Sequence, residues 1–129
     1  MNCLLDTSTF IWYVSAQIRL SDIALSILSD AGNKVYLSLV SIWELAIKYR
    51  TGKLDLIPPP FSEWIASELE SNSFSLLEIQ LPHLIVVSEL PLHHRGPFDR
   101  LLIAQSLAEG LPITSSDSLF DLYPINRLW

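Results

Sequence analysis

A chain of 129 residues, half of them hydrophobic and 17% charged, is sized for one domain (1–129) with a substantial core. No apolar run approaches the ~18 residues that span a bilayer, no basic, small-residue-terminated leader is evident, and the lone Cys3 excludes a disulfide scaffold; a cytoplasmic domain is expected. The formal charge of −6 weighs against a nucleic-acid partner, but if four of the fourteen acids line a metal site, ten remain against eight basic residues and the rest of the surface carries only −2.

In chain order, residues 2–6 (NCLLD) read as a short buried strand ending in Asp6, followed by a helix from Thr7 to Val14 capped by Thr7 or Ser8. Ser21 to Ala31 carries Ile23, Ala24, Ile27 and Leu28 at helical spacing and ends at Gly32-Asn33. Val35 to Leu39 is the second strand. Ser41 is placed to cap a helix from Ile42 to Arg50 that ends at Gly52, with Glu44 in its first turn. Three prolines, Pro58 to Pro60, form a stiff surface spacer inside the domain.

Phe61 to Ser71 is an amphipathic helix, and Phe74 to Ile79 a third strand. Pro82 opens a short helix to Glu89, which Pro91 ends. Pro97 stands where a first helical turn accepts proline, and Phe98, Leu101, Leu102, Leu107 and Ala108 continue that helix to Gly110. Pro112 begins a fourth strand (PITSS) with Asp117 at its end. Ser118 to Leu122 forms one helical turn, and Arg127 to Trp129 a last short strand. Strands alternate with helices and no tight hairpin turn separates them, so the fold class is α/β, with a mainly parallel sheet between helices.

In a parallel sheet, strand C-termini share one edge with the N-termini of the helices around them. Asp6 and Asp117 lie at strand ends, and Glu44 and Asp99 in first helical turns, so all four point to one rim. Three of the four have an ordinary structural alternative: Asp6 a helix cap, Glu44 a capping box with Ser41 or an ion pair with Lys48, Asp99 a charge at a helix start. Together they would repel one another and raise one another's pKa values. A hard divalent cation removes that cost, and the chemistry it implies is phosphodiester hydrolysis.

Around these acids, Arg95 and Arg100 flank Asp99, and Lys48 follows Glu44, positions suited to steering a phosphate or to ordinary surface ion pairs. His93 and His94 are adjacent in an extended segment, point to opposite sides and are poorly placed to share one ion; their expected part is to shape the loop before the Asp99 helix. Trp12, Trp43, Trp64 and Trp129 could stack on bases, though most tryptophans serve cores and interfaces, and Trp12 with Tyr13 is the better interface pair. An aspartyl-phosphate phosphatase is disfavoured because Ser8 stands where a second acid is wanted. A receiver-type signalling domain is disfavoured because no lysine follows Lys53.

LLDTS at Leu4–Ser8, SIWELAIKYRTGKL at Ser41–Leu54, LPLHHRGPFDRLLIAQSLAEGLPI at Leu90–Ile113 and TSSD at Thr114–Asp117 resemble, in order and spacing, PIN-domain ribonucleases of the VapC toxin type. The resemblance implies a PIN-like three-layer α/β/α fold with a five-stranded sheet and an RNA-cleaving toxin dependent on Mg²⁺ or Mn²⁺. It also implies a cognate antitoxin protein and a homodimer. The family's acidic quartet, catalytic and metal-binding, falls on Asp6, Glu44, Asp99 and Asp117, and its small hydroxyl residue on Ser115 or Ser116. In this branch the segment commonly reads HHRDPFDR; Gly96 replaces that aspartate here. A degenerate PIN-like module that binds RNA or protein without cutting is the alternative.

Overall fold

The computed structural model describes residues 1–129. Five short strands, β1 (Asn2–Leu5), β2 (Lys34–Ser38), β3 (Ser75–Leu77), β4 (Ile113–Thr114) and β5 (Arg127–Leu128), form one parallel sheet in the order β3-β2-β1-β4-β5. The register sets Cys3 beside Val35, Leu4 beside Ile113, Leu37 beside Leu76 and Ile113 beside Arg127. The helices are α1 (Thr7–Ser15), α2 (Asp22–Ser29), α3 (Leu39–Arg50), α4 (Phe61–Ser71), α5 (Leu81–Glu89) and α6 (Pro97–Glu109), with 3₁₀ turns at Gln17–Arg19 and Ser118–Leu122.

Strand side chains alternate between faces, and here both faces are covered, which is why β1 is apolar almost throughout. Cys3 and Leu5 join Phe10, Ala24, Leu28 and Trp64 of α1, α2 and α4. Leu4 turns to the other face and meets Leu102, Ile103, Ile113 and Phe120. The result is the expected α/β/α sandwich. Burial pushes the Cys3 thiol up to about 11, so it packs as an apolar group. No helix is long and apolar enough to cross a membrane.

Helix α6 is the innermost element outside the sheet. Leu101 to Ser106 are all buried, because α6 packs on the sheet and touches α3 and α5 as well. Fully burying a leucine or isoleucine such as Leu102 or Ile103 contributes about 1.5–3 kcal/mol. Gly110, at φ 64°, takes the left-handed conformation that ends the helix, and its N–H returns to the carbonyls of Ser106 and Leu107.

Several boundaries differ from the sequence reading. Asp6, not Thr7 or Ser8, caps α1, accepting the Thr9 N–H at 2.8 Å. Ser38, not Ser41, caps α3, accepting the Val40 N–H at 3.0 Å. Helix α3 therefore begins at Leu39, Glu44 falls in its second turn, and the Ser41–Glu44 capping box does not form. Ser41 instead accepts the Thr7 hydroxyl at 2.9 Å. Helix α2 stops at Ser29, where Asp30 turns the chain by accepting the Gly32 N–H at 2.8 Å. Strand β4 is two residues rather than five, since Ser115 already turns away towards Asp117.

From β1 the chain builds β2 and β3 on one side, then returns to lay β4 and β5 on the other. The connections diverge at the C-terminal ends of β1 and β4, the place where open α/β sheets bind ligands.

Candidate active site

Asp6 leaves β1 at this switch point and is 7% exposed. Capping α1 occupies Oδ1 and leaves Oδ2 for other work. Burial raises the Asp6 pKa, hydrogen bonds from Ser115 and Thr9 restrain the rise, and the charge of Asp117 adds to it. Asp117 leaves β4 next door. Its Oδ1 caps the 3₁₀ turn by accepting the Leu119 N–H at 3.0 Å, and its own N–H donates to Ser115 Oγ at 3.0 Å. The buried Ser115 hydroxyl thus holds the Asp117 backbone N–H and tempers the rise at Asp6.

Asp99 lies in the first turn of α6, half-buried. Burial pushes its carboxyl up to about 6; His94 opposes the rise, and the charges of Asp6, Glu44 and Asp117 add to it. The charges of Asp6, Glu44 and Asp117, from three other stretches of chain, thus all reach Asp99, though the donor atoms of Asp6 and Glu44 fall outside the tightest cluster. Glu44, on α3, is also half-buried and accepts an ion pair from Lys48 at 2.8 Å.

The neighbouring residues divide into occupied and free. The Arg100 guanidinium donates to the carbonyls of Pro91 at 2.8 Å, Val87 at 3.1 Å, Leu90 at 3.3 Å and His94 at 3.5 Å. It closes the end of α5 and is committed there rather than turned to a phosphate. Ser115 is fully buried and Ser116 exposed, so only Ser116 presents its side chain to solvent. Arg95 is exposed. Gly96 caps α6 without a side chain, at φ −65°, and a Cβ added there would meet nothing within 4 Å. An aspartate would fit and would cap; glycine is a tolerated substitute.

The local reading undervalued His94. It is 8% exposed and lies with Nε2 3.1 Å from Asp117 Oδ2, while His93 is exposed and stands edge-on to Tyr123 at 5.0 Å. The opposite pointing of the pair was legible in the extended segment; which one faced the acids was not. Trp12 and Tyr13 are half-buried. Trp12 packs on Trp129 at 5.9 Å under the Arg19 guanidinium, and Tyr13 on Phe74 at 5.7 Å.

Donor atoms of His94, Asp99 and Asp117 all lie within 4.8 Å of one another. Carboxylate oxygens dominate the set, and burial first, then the charges of the neighbouring acids, raise the Asp99 pKa. Such a donor set fits a divalent cation of the Mg²⁺ or Mn²⁺ kind.

A single α/β/α domain with an acidic mouth at the switch point of its parallel sheet defines the class. The PIN domain family model matches residues 3–125, and the chain belongs to that family. Among solved structures, VapBC2 of Rickettsia felis bound to a promoter DNA fragment is 16% identical, with 98% of this chain and 97% of that chain covered and a TM-score of 0.69. DNA-bound VapBC of Salmonella typhimurium is 18% identical over 98% and 96%, with a TM-score of 0.67. VapBC-5 of Mycobacterium tuberculosis, a member of the VapBC family of toxin-antitoxin systems, is 17% identical over 98% of each chain, with a TM-score of 0.60. No curated protein matches the sequence significantly.

Proposed function

We propose that this protein is a metal-dependent endoribonuclease, the toxin of a toxin–antitoxin pair, acting in the cytoplasm. The observation that carries the proposal is the close set of His94, Asp99 and Asp117 at the switch point, with Asp6 and Glu44 near enough to add their charge at Asp99, whose carboxyl burial and these neighbours push up to about 6. Asp6, Glu44, Asp99 and Asp117 would hold Mg²⁺ or Mn²⁺. When bound, the ion lowers the pKa of water and offsets charge on a phosphodiester.

The chain's own residues prepare the mouth. The Thr9 N–H holds Asp6 and the Leu119 N–H holds Asp117, each at Oδ1, and Ser115 holds the Asp117 backbone, so both carboxylates are oriented in advance. Trp43 is 53% exposed and edge-on to Phe98 at 4.9 Å; the two rings immediately precede Glu44 and Asp99 and offer a base a surface to stack on. Ser116 and Arg95 are the exposed groups available to phosphates near the mouth.

An antitoxin partner is supported by the fold's likeness to VapBC-5, itself of a toxin-antitoxin family. A partner arginine would find unbalanced carboxylates to pair with. A homodimer would need an apolar patch, and Leu81, Leu84 and Ile85 on α5 are 69%, 49% and 51% exposed.

The test is incubation of purified protein with structured RNAs in Mg²⁺ or Mn²⁺, then in EDTA, with Asp99→Asn alongside. Cleavage that needs metal and is lost in Asp99→Asn is expected. Cutting that persists in EDTA or in Asp99→Asn overturns the mechanism, and binding without any cutting selects the non-cleaving module instead.

A further inference from the structure

We propose that His94 supplies a nitrogen ligand to the cation of this site, beside the carboxylates, and thereby sets which divalent ions the protein retains. The inference rests on the metal reading above and adds a ligand to it. His94 is held from both ends. Its backbone N–H donates to the Tyr123 hydroxyl at 3.0 Å, and its Nδ1 lies 3.3 Å from the same oxygen. The Tyr123 O–H faces the Pro91 carbonyl at 3.4 Å, so the phenol oxygen engages the Nδ1 side of the ring and Nε2 is the nitrogen turned to the acids. Phe120 packs edge-on against the imidazole at 5.1 Å. The ring is thus locked with Nδ1 towards Tyr123 and Nε2 towards the acids. Metal-binding histidines are oriented in the same manner, through a hydrogen bond made by the nitrogen that does not bind.

The distance also fits. Nε2 lies 3.1 Å from Asp117 Oδ2. Neighbouring ligands of an octahedral ion with bonds of about 2.1 Å stand about 3.0 Å apart. A cation seated there would take Nε2 and Oδ2 as adjacent ligands, with Asp99 within reach of both. His93 is turned to solvent. His83 accepts the Gln80 N–H at Nδ1 and bonds Glu109 through Nε2, at the far end of α6, about 15 Å along the helix from Asp99. Among the three histidines only His94 reaches the mouth. An imidazole donor shifts preference from Mg²⁺ towards Mn²⁺ and later transition ions.

The experiment is pulsed electron paramagnetic resonance on the full chain loaded with Mn²⁺, reading ¹⁴N coupling to the ion, with isothermal titration of Mn²⁺ and Mg²⁺ beside it. Wild type should show coupling from one imidazole, retained in His93→Gln and lost in His94→Gln, with Mn²⁺ affinity falling about tenfold or more and Mg²⁺ affinity falling less. Circular dichroism checks that His94→Gln is folded. If it is not, protein labelled with ¹⁵N-histidine decides, since the coupling must change isotope. Mn²⁺ bound with no nitrogen coupling, or with coupling that survives in folded His94→Gln, overturns the assignment and leaves the nuclease reading standing; His94 would then only orient Asp117. Failure of wild type to bind Mn²⁺ or Mg²⁺ at all removes both.

Discussion

Ser38 donates its hydroxyl to Gln105 Oε1 at 2.5 Å, deep between α3 and α6. Ser38 caps the helix that carries Glu44, and Gln105 lies in the helix that carries Asp99, so one buried hydrogen bond sets the spacing of two site acids. The Gln105 amide also donates to the Glu78 carbonyl at 3.2 Å, and His83 beside it is paired with Glu109 at 2.8 Å. No buried side-chain polar atom in the protein lacks a partner.

Gln105→Leu roughly keeps the volume but strands the buried Ser38 hydroxyl proton and leaves the part-buried Glu78 carbonyl to water. Each unsatisfied buried group costs about 1–3 kcal/mol, and the melting temperature should fall by roughly 5–10 °C. RNA cleavage at permissive temperature should fall as well, although Gln105 touches no substrate. Thermal melts by circular dichroism and cleavage rates check both. An unchanged melt would show that the bond does not tie the helices together.

Asp99 gives a stability prediction whose sign is opposite to that of an ion-paired acid. Its ordinary pKa is 3.8 and the folded value is about 6. Between those values the folded chain holds a proton that the unfolded chain has released. Without metal, this group's effect is therefore absent below about pH 4, grows as pH rises towards about 6, and persists as a destabilisation above that. Metal-free Asp99→Asn should melt higher than wild type at about pH 7.5, match it more closely near pH 4, and be inactive. A lower melt for the variant at neutral pH would contradict the account of repulsion at the mouth.

Cation binding should reverse that penalty. Mg²⁺ or Mn²⁺ should raise the melting temperature with concentration, by about 2.7 kcal/mol of stability at a hundredfold excess over Kd. The gain should shrink near pH 5, where Asp99 retains its proton, and vanish with EDTA. Scanning calorimetry across pH, with and without each ion, reads this directly; a gain that is independent of pH would mean that Asp99 is not among the ligands.

The sheet and the acidic mouth were legible because they depend on local pattern and on one geometric rule. An apolar run ending in Asp6 reads as a buried strand, Pro97 and Gly110 bracket α6, and parallel topology carries strand ends and helix starts to one edge. What local pattern could not supply was choice between near-equivalent residues. Ser38 and Ser41 are both good caps; Ser38 prevails where β2 ends, and its proton finds Gln105, 67 positions away in the chain. His94 reaches the acids because Tyr123, 29 positions on, holds its ring. Arg100 looked suited to phosphate because it neighbours Asp99, yet the open carbonyls at the end of α5 claim it.

Those carbonyls make Arg100 a test of structural against electrostatic purpose. Carbonyls at a helix end lack the full intrahelical pairing, and the Arg100 fork adds a bond to that of Val87, which also accepts the Leu90 N–H, and reaches those of Leu90, Pro91 and His94 just beyond. It thereby fixes the loop that delivers His94 to the mouth. Arg100→Ala should cost about 1–3 kcal/mol and lower cleavage through misplacement of that loop. Arg100→Lys keeps the charge but not the fork, since an ammonium cannot span four divergent acceptors. If the role is structural, lysine should melt nearly as low as alanine, and its RNA binding should show no added salt sensitivity. If Arg100 instead steers phosphate, lysine should restore most of the KM at an unchanged melting temperature, and the structural assignment would be withdrawn.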